Sequence, residues 1–219
     1  MGAKMKRRKL LRHFTLWALL SSGLPALAVT SPPRALTLLV LGDSLSAEYG
    51  LPRGSGWVAL LEQRLAAQSI DAQVVNASIS GETTSGGVSR LPRLLTAHRP
   101  SHVIVELGAN DALRGLPLAG TRSNLSKMVR EVKAAGAKAL VIGMRVPPNY
   151  GRRYADDFAA LFTRVAKDEG AGLVPFLLRG VADVPQAELL FQSDRLHPTA
   201  QAQSVMLDNV WVVLKPLLR

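Results

Sequence analysis

The chain has 219 residues, with 27 basic against 16 acidic side chains, and a formal net charge of +11. It contains no cysteine, which excludes disulfides, thiolate metal sites and a cysteine nucleophile. A pI near 10.7 suggests nucleic acid, but aromatics make up only 5% of the chain and no basic stripe interleaves with them, so that partner is excluded.

The first 13 residues carry Lys4, Lys6, Arg7, Arg8, Lys9 and Arg12 and no acid. An apolar run, Phe14 to Leu24, is followed by Pro25 and Ala26-Leu27-Ala28. A basic start, a short apolar core and an Ala-x-Ala end predict a secretory leader over residues 1–28, cut after Ala28. The alternative is a membrane anchor, but Gly23 and Pro25 hold the run well below the ~20 residues a span needs. Arg7-Arg8 also fits a twin-arginine signal loosely. Six of the 27 bases lie in this leader, so residues 29–219 carry 21 against 16 acids, a net +5 that is scattered. Residues 29–219 suit one domain with a full core. Without a cysteine the exported product cannot be a lipid-anchored lipoprotein and is expected to be soluble.

Five short apolar, β-branched runs follow in order: Ala35 to Leu41, Ala72 to Ala77, His102 to Leu107, Lys138 to Gly143 and Gly172 to Phe176. Near-continuous apolar runs of this length predict strands buried on both faces. Amphipathic helices are predicted over Trp57 to Ala67, Ser123 to Ala135, Tyr154 to Ala166 and Pro198 to Leu214, with Pro198 in the first turn of the last. Alternating strands and helices imply a parallel sheet covered on both faces. The expected fold is a flavodoxin-like, three-layer α/β/α domain whose five strands run in the order 2-1-3-4-5. Ligands of such sheets bind beyond the carboxyl ends of the strands. Ser44, Gly81 and Asn110 fall there, after the first, second and third strands.

Ser44 sits in Gly42-Asp43-Ser44-Leu45-Ser46, on a tight turn after a buried strand, where a nucleophile would be held rigidly with its hydroxyl free. Gly-Asp-Ser also makes an ordinary turn. Of the four histidines, His13 lies in the leader, and His98 and His102 flank Pro100 at the opposite edge of the sheet. His197 remains as the base candidate, although a plain loop histidine would read the same. Asp194, three residues earlier, can reach one ring nitrogen while the other faces Ser44, fixing the tautomer and stabilising the imidazolium. Its bland alternative is a helix N-cap. The N–H groups of Ser44 and Gly81 and the Asn110 amide would supply three oxyanion donors. A turn glycine and a turn asparagine are the alternatives there.

Gly42-Asp43-Ser44-Leu45, Gly81, Gly108-Ala109-Asn110-Asp111 and Asp194-Arg195-Leu196-His197 resemble the four blocks of the SGNH, or GDSL, hydrolases. Leu41 to Ala47, Val75 to Gly81 and Pro148 to Tyr154 are similar to one branch, the bacterial periplasmic arylesterases with acyl-CoA thioesterase and lysophospholipase activity. The resemblance covers essentially the whole chain after the leader. It implies a serine esterase acting on carboxylic esters and thioesters through an acyl-serine intermediate. It also implies no metal or cofactor, the triad Ser44, Asp194 and His197, and Gly81 and Asn110 in the oxyanion hole. The loops Glu82–Gly87 and Pro147–Tyr150 border the acyl groove in that branch, making Leu113, Val146, Pro147 and Tyr150 candidate substrate contacts. Arg152-Arg153 reads as a solvated helix start or as an attraction for anionic head groups. Ala109, where a second glycine is usual, and Glu48, just after the nucleophile, depart from the branch.

The expected partner is a small acyl ester or thioester taken by a monomer, with transient contact with lipid. A carbohydrate O-deacetylase would use the same triad. A nucleotide- or flavin-binding domain would need a glycine-rich phosphate loop, and none is present. A standard α/β-hydrolase would need Gly-x-Ser-x-Gly, also absent.

Overall fold

A computed structural model describes Met1 and residues 35–218 of the chain. The leader predicted over residues 1–28 lies outside them. Five parallel strands, β1 (Leu36–Gly42), β2 (Ala72–Asn76), β3 (His102–Glu106), β4 (Lys138–Ile142) and β5 (Gly172–Val174), form one sheet in the order β2-β1-β3-β4-β5. This is the expected topology, with each strand ending within two residues of its predicted limit. Every residue of β3, the central strand, is buried, including His102 and Glu106 at its two ends around the apolar Val103-Ile104-Val105.

Among the described residues, six helices flank the sheet: α1 (Trp57–Ala67), α2 (Thr84–His98), α3 (Ala109–Leu113), α4 (Leu118–Ala134), α5 (Arg152–Glu169) and α6 (Gln203–Leu217). Helix α1 packs on α6, while α2, α4 and α5 pack in series, so each sheet face receives one group. Phe158 and Phe162, one turn apart on α5, meet edge to face at 5.1 Å in the core. Gln203, buried at the start of α6, accepts the first N–H of α1 from Trp57 at 3.0 Å and ties the two helices together.

Three helical expectations change. Helix α2 was not expected, because Gly86, Gly87 and Pro92 break its pattern. Packing requires the glycine there: a Cβ on Gly87 would stand 2.4 Å from Leu107 Cδ1, so the backbone of α2 lies directly against Leu107, the residue after β3. Helix α4 starts five residues before Ser123, running through Gly120. Pro198 does not open α6; it forms an antiparallel bridge with Phe191, and the helix follows a 3₁₀ turn at Ala200–Ala202. Gln192 N–H donates to His197 O and Thr199 N–H to Leu190 O, both at 2.8 Å. These bonds close a narrow loop with Asp194 to His197 at its tip.

Candidate active site

The site forms where β1, β2 and β3 end together. Gly42 closes β1 and pairs in register with Glu106 at the end of β3. Immediately afterwards the chain turns, with Ala47 N–H on Asp43 O at 3.0 Å and Leu45 N–H on Asp43 Oδ1 at 3.0 Å. Ser44 is thereby held at the apex. Beyond β2 the chain keeps following β1, through Ala77 N–H to Val40 O at 2.9 Å and Ile79 N–H to Gly42 O at 3.0 Å. That carries Ser80 and Gly81 to the same edge. Gly81 turns with φ +78°, a region glycine enters without strain, and its carbonyl accepts from Arg114 Nη2 at 2.7 Å. Gly108, with φ +124°, swings the chain from β3 into the short α3, which presents Asn110.

The loop before α6 completes the group. Ser44 Oγ stands 2.8 Å from His197 Nε2, and His197 Nδ1 stands 2.6 Å from Asp194 Oδ2. Asp194 Oδ1 accepts the N–H groups of Leu196 and His197 at 2.9 and 3.0 Å. One carboxylate thus shapes the loop and holds the ring, and it does not cap a helix. Burial pushes the Asp194 carboxyl up, but the His197 backbone N–H, the imidazole and the Leu196 N–H outweigh it and hold the group at about 2. An ionised carboxylate only accepts, so Nδ1 carries the imidazole proton and Nε2 is left to accept from the Ser44 hydroxyl. His102, by contrast, lies at the start of β3 with Nε2 2.8 Å from Leu217 O, away from this edge.

Asn110 Nδ2 donates to Asp43 Oδ2 at 3.0 Å, and Asn110 also lines the cavity. Among the described residues, neither Ser44 N–H nor Gly81 N–H donates to a protein acceptor. Ser44, Gly81, Asn110 and His197 all line one cavity of about 760 Å³. Its wall includes Leu113, Met144, Val146, Pro147, Phe176 and Leu178. Such a wall suits an acyl chain lying beside a reactive hydroxyl.

Of the candidate substrate contacts, Leu113, Val146 and Pro147 line the cavity. Tyr150 does not; its ring stacks on Tyr154, with centroids 6.4 Å apart. The segment Glu82–Gly87 is absent from the lining as well, because Thr84 to Gly87 form the first turn of α2 and Glu82 pairs with Arg90 at 2.7 Å. Ala109 lies on the wall. Glu48 turns aside from the nucleophile, its carboxylate accepting Gly54 N–H at 3.0 Å and Gly56 N–H at 2.7 Å. Arg153, in the first turn of α5, has its side chain 97% exposed, which fits a solvated helix start. Two residues went unnoticed in the sequence. Tyr49 lies over the His197 ring, and Glu106 is buried beneath the serine turn.

The GDSL-like lipase/acylhydrolase family profile matches residues 40–205. The chain is 50% identical over 202 residues to esterase TesA of Pseudomonas aeruginosa, covering 92% of this chain and 99% of that protein. It is 43% identical over 182 residues to the thioesterase 1/protease 1/lysophospholipase L1 of Escherichia coli, covering 83% of this chain and 85% of that protein. A crystal structure of TesA superposes with a TM-score of 0.79 over 83% of this chain and 99% of the other, at 50% identity. With its sheet order, serine turn and histidine loop, the chain belongs to the GDSL-like lipase/acylhydrolase family and is a serine ester hydrolase.

Proposed function

We propose that Ser44, His197 and Asp194 form the catalytic triad of a fatty acyl esterase and thioesterase, with Ser44, Gly81 and Asn110 as its oxyanion donors. Ser44 Oγ attacks the substrate carbonyl carbon while His197 Nε2 takes the hydroxyl proton. The carbonyl oxygen becomes an oxyanion facing Ser44 N–H, Gly81 N–H and the Asn110 amide. Collapse breaks the bond to the alcohol or thiol, which leaves with the proton from His197, and the acyl group remains on Ser44. Water, activated by the same imidazole, then releases the acid. Asp194 holds the ring and stabilises its charged form throughout.

The observation that carries this reading is the 2.8 Å separation of Ser44 Oγ and His197 Nε2 at the wall of an apolar cavity. The cavity favours acyl chains over the acetyl group of a carbohydrate deacetylase, because Leu113, Val146 and Phe176 give an alkyl chain surface that an acetyl group cannot cover. Leu113, Leu196 and Tyr49 line it and remain exposed, which supports brief contact with lipid. One chain holds every group the reaction uses, so a monomer suffices for it. The basic, apolar, Ala-x-Ala start supports export, with cleavage after Ala28.

The test is turnover of p-nitrophenyl and coenzyme A esters of short to long acyl chains by the wild type, Ser44→Ala and His197→Ala. A fluorophosphonate probe should label Ser44 in the wild type and nothing in Ser44→Ala. Undiminished turnover by Ser44→Ala excludes the mechanism.

A further inference from the structure

Glu106 has no step in this reaction, yet it is wholly buried at the end of β3, beneath the serine turn. A buried acid without a cation partner is costly, so its surroundings matter. Its Oε2 accepts from Ser46 Oγ at 2.7 Å and from Asp43 N–H at 3.3 Å. Those residues lie on either side of Ser44, and both are buried. Gly42 makes the room: a Cβ there would stand 2.9 Å from Glu106 Oε2 and 2.7 Å from Ser46 Oγ. Asn76 Nδ2 fixes the far end of the turn through Ser46 O at 2.7 Å. Asp43 passes the constraint onward, since its second oxygen holds the Asn110 amide.

We infer that Glu106 is a positioning residue, bracing the Asp43–Ser46 turn from below and, through Asp43, aiming the Asn110 amide at the developing oxyanion. The inference rests on the roles proposed above for Ser44 and Asn110.

The acid form suits this task. Burial first, and then the neighbouring Asp43 charge, push the Glu106 carboxyl well above its ordinary value. Among the described residues no hydrogen bond reaches Glu106 Oε1, which would leave a carboxylate half satisfied. A neutral carboxyl grips the turn without placing another negative charge behind an oxyanion. Glutamine has the same shape and neutrality, and leucine removes the acceptor.

The test compares wild type, Glu106→Gln and Glu106→Leu on one soluble ester, with active sites counted by fluorophosphonate titration. Glu106→Gln should keep kcat within ~3-fold, and Glu106→Leu should lose ~10–100-fold in kcat with KM within ~2-fold, as a misaimed oxyanion donor requires. Rescue by glutamine separates positioning from mere folding, because counting sites removes misfolded protein from kcat. If Glu106→Leu is insoluble, Glu106→Asp takes its place: withdrawing the carboxyl by one methylene should lower kcat at unchanged KM. Wild-type kcat per titrated site in the Leu or Asp variant overturns the inference, as does a loss confined to KM or thermal stability. Failure of the parent reading would appear separately, as full activity in Ser44→Ala.

Discussion

The rings of Tyr49 and His197 lie with centroids 4.4 Å apart and planes tilted by 39°. Gln192 links their loops: its Nε2 donates to Tyr49 O at 2.9 Å, and its N–H donates to His197 O at 2.8 Å. Tyr49 therefore covers one face of the imidazole and restricts its tilt, a task for the ring and not the hydroxyl. Such an aromatic pair contributes ~0.5–1.5 kcal/mol, or roughly 2–12-fold in rate where it sets the active orientation. Tyr49→Phe should match the wild type in kcat, and Tyr49→Ala should fall by that factor. Equal losses in both variants would assign the effect to the hydroxyl.

Asp194 gives a second prediction, with a sign in pH. Its carboxyl, ordinarily at 3.8, is held at about 2 in the fold. A depressed value means that its stabilisation is complete above pH 3.8 and is lost as pH falls through about 2. The stability difference between wild type and Asp194→Asn should thus be flat at neutral pH and shrink below pH 3.8. It should also be small, because the side chain is 36% exposed and solvent screens the pair. Activity should respond far more, with kcat lower by ~10²–10⁴ because asparagine no longer enforces the Nδ1–H tautomer. Urea unfolding across pH, beside steady-state rates, checks both halves.

Much of this architecture was legible because burial on both faces writes itself plainly into a sequence. The runs that became β1, β3 and β4 are apolar almost without interruption, and their order follows from right-handed crossovers. Ser44, Asn110 and His197 could be placed at one edge of the sheet because each follows a strand end or stands alone by elimination. Helix α2 was hidden by Gly86, Gly87 and Pro92, since a helix that packs through its backbone carries little apolar signal. The histidine loop was misread at Pro198, because a proline opening a helix and one in an antiparallel bridge look alike in isolation. Glu106 drew no reading of its own within the predicted third strand. An acid inside the run His102–Leu107 was the available clue, and its meaning depends on Asp43 and Ser46 coming from the turn after β1.

Asn110 carries the third prediction. Its amide donates to Asp43 Oδ2, which orients the group, and in the proposed role the other amide hydrogen meets the substrate oxygen. Asn110→Ala should lower kcat by ~10²–10³ while KM changes little, the pattern of a donor engaged mainly in the transition state. Asn110→Asp should be no better, because it sets a second carboxyl against Asp43. Single-turnover acylation with a p-nitrophenyl ester measures the step directly. A change in KM alone would make Asn110 a ground-state contact.

Glu106 supplies the fourth prediction, with a sign opposite to that of Asp194. Burial raises its folded value far above the ordinary 4.5 of a glutamate, so the native state holds a proton that the unfolded chain releases. Stability from this group is complete below pH 4.5 and is lost as pH rises toward the folded value. Asp43, which faces it and is pushed by burial to about 6, drifts in the same direction, while the His197 charge opposes that rise. Glutamine does not titrate. Glu106→Gln should therefore gain stability over the wild type as pH rises above 4.5, by at most ~1.4 kcal/mol per pH unit. Urea unfolding of both proteins at mildly acidic, neutral and mildly alkaline pH would show the curves diverging in favour of the variant. Parallel curves, or a variant that loses ground with rising pH, would mean that Glu106 is ionised in the fold and that the turn is gripped by a carboxylate.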